Sequence, residues 1–396
     1  MNHLSTERQR RFLALAEPLA HLIAERAAAH DADASFPYEN FADLRAAGLL
    51  ALTIPEAYGG LGANELEYTL TLERLAWGDA STALALGMSL SNLAQIAAGG
   101  LWSERAPSLF REVVEKGATI NAAQAEPELG SPSYGGLPAT TARRDLSGGW
   151  RITGRKIYTT GAPGLRYFLV MATVEEEDQQ PWIGDFLVPC DTPGLRIEET
   201  WDALALRASG SHDLVLENAT LSADALLSLR APGQPDPRAA LGLPWGSLTL
   251  AAVYNGVALA ARDAVAHFAA TRAPTALGKP IGELPTVRLR LGEIEELLLA
   301  SRRVMTGLAA DWVTAAPEDR PRLRQEAPLV KTIATTNAAR ITELAMRIAG
   351  GHGLQRGPLE RYFRDARAGL VNAPVEDVVL QNAGKAAVDA ARKVEE

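Results

Sequence analysis

The chain of 396 residues has a single cysteine, Cys190, so no internal disulfide can staple it. No electropositive run flanks Cys190, which predicts a buried packing residue rather than a nucleophile. Basic charge is not in excess. Lysine and arginine number 39 against 48 acidic residues, giving a formal net charge of −9. The two signs are mixed along the chain, and no basic stripe invites nucleic acid. Long apolar runs are missing too. The most apolar stretch, Ser247 to Ala261, is interrupted by Asn255 and closed by Arg262 and Asp263. It falls short of the roughly 20 residues of a bilayer span, and its small residues predict a tightly packed interior helix. The opening Met1 to Glu7 has no apolar leader segment, so neither a secretory signal nor a transit peptide is expected, and the expected location is cytoplasmic. The six histidines are scattered without metal-ligand spacing, which argues against zinc. No Gly-x-Gly-x-x-Gly follows a strand pattern. Gly59, Gly60 and Gly62 lack the Lys-Ser/Thr of a phosphate loop.

What is present is an order of textures. Apolar residues make up 47% of the chain and charged ones 22%, an ordinary globular balance. Up to about Gly117 the pattern is helical. Phe12, Leu15, Ala16, Leu19, Leu22 and Ile23 share a helix face, with Pro18 expected to kink or restart it. A helix is expected from near Pro37 to Ala47, stopped by Gly48, and others over 65–77 and 83–98. Between them, Ile54 to Gly62 reads as a turn-rich connection. From about Ala118 to Leu227 the signals are short strands: 150–153, 155–159, 167–174, 186–188 and 214–216. Ser147-Gly148-Gly149 and Ala162-Pro163-Gly164 punctuate them. A linker at 230–237 leads to four further helices over 247–271, 286–315, 321–349 and 376–393, with Pro328 a second expected kink. Segregated runs predict an α+β multidomain chain with boundaries near 1–117, 118–229 and 238–396.

Six motifs lie in the order found in the acyl-CoA dehydrogenase superfamily, and together the chain resembles that family over nearly its whole length. They are Ile54 to Gly62; Ala125-Glu126-Pro127 with Gly130-Ser131; Gly154-x-Lys156-x-Tyr158-x-Thr160-Gly161; Leu206-Arg207 through Ser211-His212; Gly350-Gly351-x-Gly353; and Arg361-x-x-Arg364-Asp365-Ala366-Arg367. The resemblance implies an N-terminal helical domain, a central β-barrel domain and a C-terminal four-helix bundle. It also implies a flavin, FAD in preference to FMN, held between domains and across a subunit interface in a homodimer or homotetramer. Residue by residue it places Gln124 and Ala125 on the strand whose backbone faces the flavin. Ser131 stands near the flavin and the acyl group, Tyr158 against the isoalloxazine, and Thr160 in hydrogen-bond reach of the ring. Arg272 would reach the pyrophosphate of a neighbouring subunit's flavin, Arg347 stands where the family often has a glutamine near the adenosine, and Gly351 admits the cofactor to the backbone. Blander readings stand beside these. Tyr158 can be a half-buried strand residue, Thr160 and Ser131 turn formers, Arg272 a helix-end charge and Arg347 part of a solvated face.

The family's usual catalytic base is absent. Abstraction of an α proton needs a carboxylate within hydrogen-bond reach. The position nine residues after Arg364 is Ala373, and the alternative position on the first bundle helix is about Gly246. Glu376 and Asp377 nearby suit the first turn of a helix. The expected function is therefore a flavin-dependent oxidation of an acyl thioester such as an acyl-CoA, or of a similar small molecule, with an electron-transfer or reductase partner. A monooxygenase using reduced flavin and a non-catalytic homologue stand as alternatives.

Overall fold

A computed structural model describes residues 6–128, 136–146, 148–175 and 180–393. Five helices come first: α1 (Glu7–Asp33), α2 (Tyr38–Ala46), α3 (Glu65–Gly78), α4 (Ala80–Gly99) and α5 (Ala106–Lys116). Thr6 and Asn64 close capping boxes on α1 and α3, and Asp79 caps α4. Helix α1 runs unbroken through Pro18. The expected restart is absent because its buried face, Phe12, Ala16, Ala20, Ile23 and Ala27, carries on packing across the proline.

Eight strands follow: β1 (Ile120–Ala123), β2 (Thr141–Arg144), β3 (Trp150–Thr159), β4 (Tyr167–Glu175), β5 (Trp182–Pro189), β6 (Leu195–Glu198), β7 (His212–Leu221) and β8 (Leu226–Arg230). Their order is β6-β7-β3-β2-β4-β5-β8, with β1 and β2 lying in turn along β4, both parallel to it. The expected barrel is thus an open sheet. Closure would need β6 to pair with β8, and no such ladder exists among the described residues. The two strands expected at 150–153 and 155–159 are one. Gly154 between them is no turn. A Cβ there would lie 2.3 Å from Thr140 Oγ1, so glycine admits a close neighbour.

Then come α6 (Pro237–Ala240), α7 (Trp245–Thr271), α8 (Pro285–Thr314), α9 (Arg320–Ala349), α10 (Pro358–Val371) and α11 (Glu376–Lys393). Helix α9 likewise passes Pro328 without a break. The apolar helix α7 is interior, as its composition predicts, with sixteen buried residues. One core unites the N-terminal helices with the bundle, from Phe12 through Tyr68, Leu248 and Ile341 to Ala366. At the α4–α7 crossing a Cβ on Gly87 would meet Thr249 Cγ2 at 2.7 Å, which requires glycine. The sheet keeps its own core around Trp150, Phe168, Phe186 and Leu214. A third cluster, with Leu93, Phe110, Ile120, Tyr167 and Leu187, seats α4 and α5 on β1, β4 and β5. No helix among the described residues is long and apolar enough to cross a membrane.

Cys190 departs from expectation. It is exposed, just past the end of β5, where Arg166 donates to its Sγ at 3.4 Å. Pro189 ends the strand there and turns the next residue out of the core.

Candidate functional site

The site starts at the end of β3. The ladder with β7 slips between Lys156 and Thr159, a bulge that leaves Tyr158 with φ of +57°. A bulge re-aims a side chain, and left-handed backbone at a non-glycine residue costs roughly 1–2 kcal/mol. The ring so aimed is 65% exposed and meets Trp201 edge-on at 6.1 Å. An aromatic surface of this size, held in a strained backbone and left uncovered by its own chain, fits a planar ring that would cover it.

Thr160 lies two residues on. Its Oγ1 accepts from Ser211 at 3.0 Å, and Ser211 is in turn paired with Ser209 at 2.8 Å. A hydroxyl whose lone pair is occupied presents its hydrogen to a further acceptor, as a flavin heteroatom would be. The Thr160 carbonyl accepts from Asn121 Nδ2 at 2.8 Å. Gln124 and Ala125 directly follow β1, and Ile157 donates to the Ala125 carbonyl at 2.9 Å. The structure therefore brings Gln124, Ala125, Tyr158 and Thr160 together.

A buried ion pair locks that arrangement. Glu126 accepts from Lys156 Nζ, from Thr140 Oγ1 at 2.6 Å and from the backbone of Ala139 at 2.6 Å. Burial pushes the Lys156 ammonium down to about 8, with Glu126 opposing. Burial also works against the Glu126 carboxylate, but Lys156 and the donors outweigh it and hold it below its ordinary range. Both residues sit inside the sequence motifs, but their pairing was not foreseen. By two-residue alternation Lys156 falls on the same inward face of β3 as Trp150 and Ile152, where Glu126 meets it.

Arg272, Arg347 and Gly351 form a separate group at the other end of the bundle. Arg272 caps the C-terminus of α7, about 40 Å along that helix from its start. Its guanidinium is exposed and has no carboxylate partner among the described residues. Arg347 is also exposed, and its Nε donates to Glu343 at 3.0 Å. Gly351 stands in open space, beside the contact between Phe268 and His352 at 5.5 Å. Ser131 lies outside the described residues.

The two base positions hold no acid. Gly246 is exposed in the first turn of α7, with nothing within 4 Å of a Cβ placed there. Ala373 is exposed in the α10–α11 turn. That turn is tightly held. Lys331 Nζ donates to the carbonyls of Gly369, Asn372 and Pro374 at 3.0, 2.9 and 3.2 Å, and the Tyr254 hydroxyl donates to Asn372 Oδ1. Three enclosed carboxylates among the described residues are engaged. Asp236 pairs with Arg238, Glu73 with Asn255 and Arg302, and Asp365 accepts from the Leu206 backbone. Glu376 and Asp377 lie in the first turn of α11.

Sequence profiles of the acyl-CoA dehydrogenase N-terminal, middle and C-terminal domains match residues 6–101, 121–219 and 248–373. The chain is 40% identical to the "Putative acyl-CoA dehydrogenase YdbM" of Bacillus subtilis, over 95% of this chain and 96% of that one. It is 31% identical to the L-evernosamine nitrososynthase of a Micromonospora strain, over 88% and 82% of the two chains. The solved structure of KijD3 with FMN and a dTDP-amino-keto-sugar superposes with a TM-score of 0.83 at 27% identity, covering 97% and 94%. The chain belongs to the acyl-CoA dehydrogenase superfamily, whose members include flavin-dependent dehydrogenases and nitrososynthases.

Proposed function

We propose that the protein is a flavin-dependent monooxygenase built on the acyl-CoA dehydrogenase fold, acting on a small molecule. The observation that carries this reading is the lack of a carboxylate at both Ala373 and Gly246, with neighbouring buried acids already engaged. Dehydrogenation next to a carbonyl needs a base at the α carbon, whereas oxygen insertion needs none there. Bound flavin in its reduced form would supply two electrons to dioxygen, so that one oxygen atom enters the substrate and the other leaves as water. A separate reductase would regenerate it.

In this reading Tyr158 and Trp201 wall the flavin ring, Thr160 donates its hydroxyl hydrogen, and the Gln124–Ala125 backbone borders the reacting face. Gly246, with open space at its Cβ, and the short, exposed Ala373 would leave room for a substrate in this reading. Arg272, without a carboxylate partner among the described residues, supports with Arg347 and Gly351 an FAD bound across a subunit interface in a homodimer or homotetramer. A guanidinium meets a diphosphate with a fork of donors.

A second reading, oxidation of an acyl thioester, is favoured by the relative named as an acyl-CoA dehydrogenase at 40% identity. Two measurements separate them. Reduced protein mixed with isotopically labelled dioxygen and substrate should place label in the product. Anaerobic addition of acyl-CoA should leave the oxidised flavin absorbance unbleached, and bleaching would establish the dehydrogenase instead.

A further inference from the structure

We infer that the Asp236–Arg238 pair positions the flavin-contacting backbone, holding Gln124 and Thr160 in register with helix α4 and the approach to α7. Arg238 lies on the short helix α6, directly after the linker at 230–237. It is 5% exposed. Its Nη2 meets Asp236 Oδ2 at 2.7 Å, its Nε meets Oδ1 at 3.2 Å, and its Nη1 donates to Asn92 Oδ1 on α4 at 2.9 Å. From Asp236 one arm runs to the site, since Gln124 Nε2 donates to Oδ2 at 2.8 Å. From Asn92 the other arm runs through Asn121 at 3.2 Å to the Thr160 carbonyl at 2.8 Å. Both arms end on residues assigned to the flavin.

A linker staple alone would need only one of these arms. Here a single forked guanidinium holds two positions three residues apart, 121 and 124, flanking the end of β1. Arg238 keeps Asp236 ionised against the burial that opposes its charge. Charged hydrogen bonds from Arg238 anchor both arms, and the neutral Asn92–Asn121 link continues the second, so both resist displacement. The backbone at Gln124 and Thr160 therefore meets a ligand in a fixed geometry, which is what tunes the electronics of a bound ring.

This inference rests on the flavin reading, and one experiment distinguishes the two. The full-length protein and its Asp236→Asn, Asn92→Ala and milder Gln124→Met variants are titrated with flavin. Visible spectra and midpoint potentials of the bound flavin are recorded, with Arg143→Ala at an exposed pair as control. We expect Asp236→Asn and Asn92→Ala to bind flavin about tenfold more weakly. They should also displace the flavin absorbance bands and midpoint potential, with Gln124→Met moving both in the same direction and Arg143→Ala neither. Gln124→Met carries the test should the buried substitutions prevent folding. Flavin bound by every variant with the affinity, spectrum and potential of the parent would overturn the positioning role alone. A parent protein that binds no flavin would overturn both readings.

Discussion

At the scale of single residues, Asp365 illustrates what burial does to charge. Its carboxyl is almost fully enclosed, accepts from the Leu206 N–H at 2.7 Å and shares its surroundings with Asp79 and Arg361. Burial pushes it from 3.8 to about 7, with Asp79 and Asp31 adding to the rise and Leu206 and Arg361 opposing. A folded chain that keeps a proton the unfolded chain has lost becomes less stable as pH climbs. The contribution is whole below the unfolded value of 3.8 and is lost as pH rises through about 7. Asp365→Asn keeps an acceptor for Leu206 and removes the titration. Its melting temperature should exceed that of the parent at pH 8 and match it more closely at pH 5. The slope removed is at most about 1.4 kcal/mol per pH unit. Equal pH profiles for the two proteins would refute this. Arg272 offers a second test. If its guanidinium grips a diphosphate, Arg272→Ala should weaken FAD binding roughly 10–100-fold. FMN, which lacks that diphosphate, should bind as before. Fluorescence titration with each flavin decides, and equal losses for both would place Arg272 elsewhere.

At the scale of elements, periodicity located what packing later built. The long helices were legible because their apolar faces repeat over many turns, as in Trp245–Thr271. Pro18 and Pro328 do not restart their helices, since one missing hydrogen bond weighs little against a face that keeps packing on both sides. The short strands were illegible. Thr141-Ala-Arg-Arg exposes two of its four residues and owes its strand state to β3 and β4 on either side. Lys331 is the clearest case of an element held by one side chain. Nothing in the helical pattern of α9 marks it, yet it is 99% enclosed by surface and ties down three carbonyls of the α10–α11 turn. Burial pushes its ammonium down to about 8, with the Glu376 carboxylate opposing. Lys331→Met preserves length and removes every donor. It should lower stability by about 3 kcal/mol in urea titration. Hydrogen exchange at 371–375 should quicken before that of α7. An unchanged turn would mean that packing, not the lysine, sets its shape.

At the scale of the whole molecule, the motifs were visible but their purpose was not, because their partners are distant in sequence. Arg361-x-x-Arg364-Asp365 reads as a local helix signature. In space Arg364 meets the two oxygens of Asp31, 333 residues away, at 3.0 and 2.6 Å. It also meets Glu360 one turn back at 2.6 Å and the Leu204 carbonyl at 3.0 Å. One guanidinium thus joins the bundle, the first helix and the loop between β6 and β7. Arg207 reinforces the same junction by donating to the Asp31 carbonyl at 2.8 Å. Removing Arg364 leaves the half-buried Asp31 and Glu360 without their counter-charge, and breaking such a pair costs about 3 kcal/mol. Arg364→Lys keeps the charge but cannot span Asp31, Glu360 and Leu204 at once, so it should recover less than half of the loss. The shared core of N-terminal helices and bundle remains in either variant, whereas the sheet has its own. Calorimetry of Arg364→Ala should therefore show the sheet and the helical body melting as two separable transitions where the parent gives one. A single transition, shifted but undivided, would mean that the apolar cluster seating α4 and α5 on β1, β4 and β5 couples the sheet to the helices without Arg364.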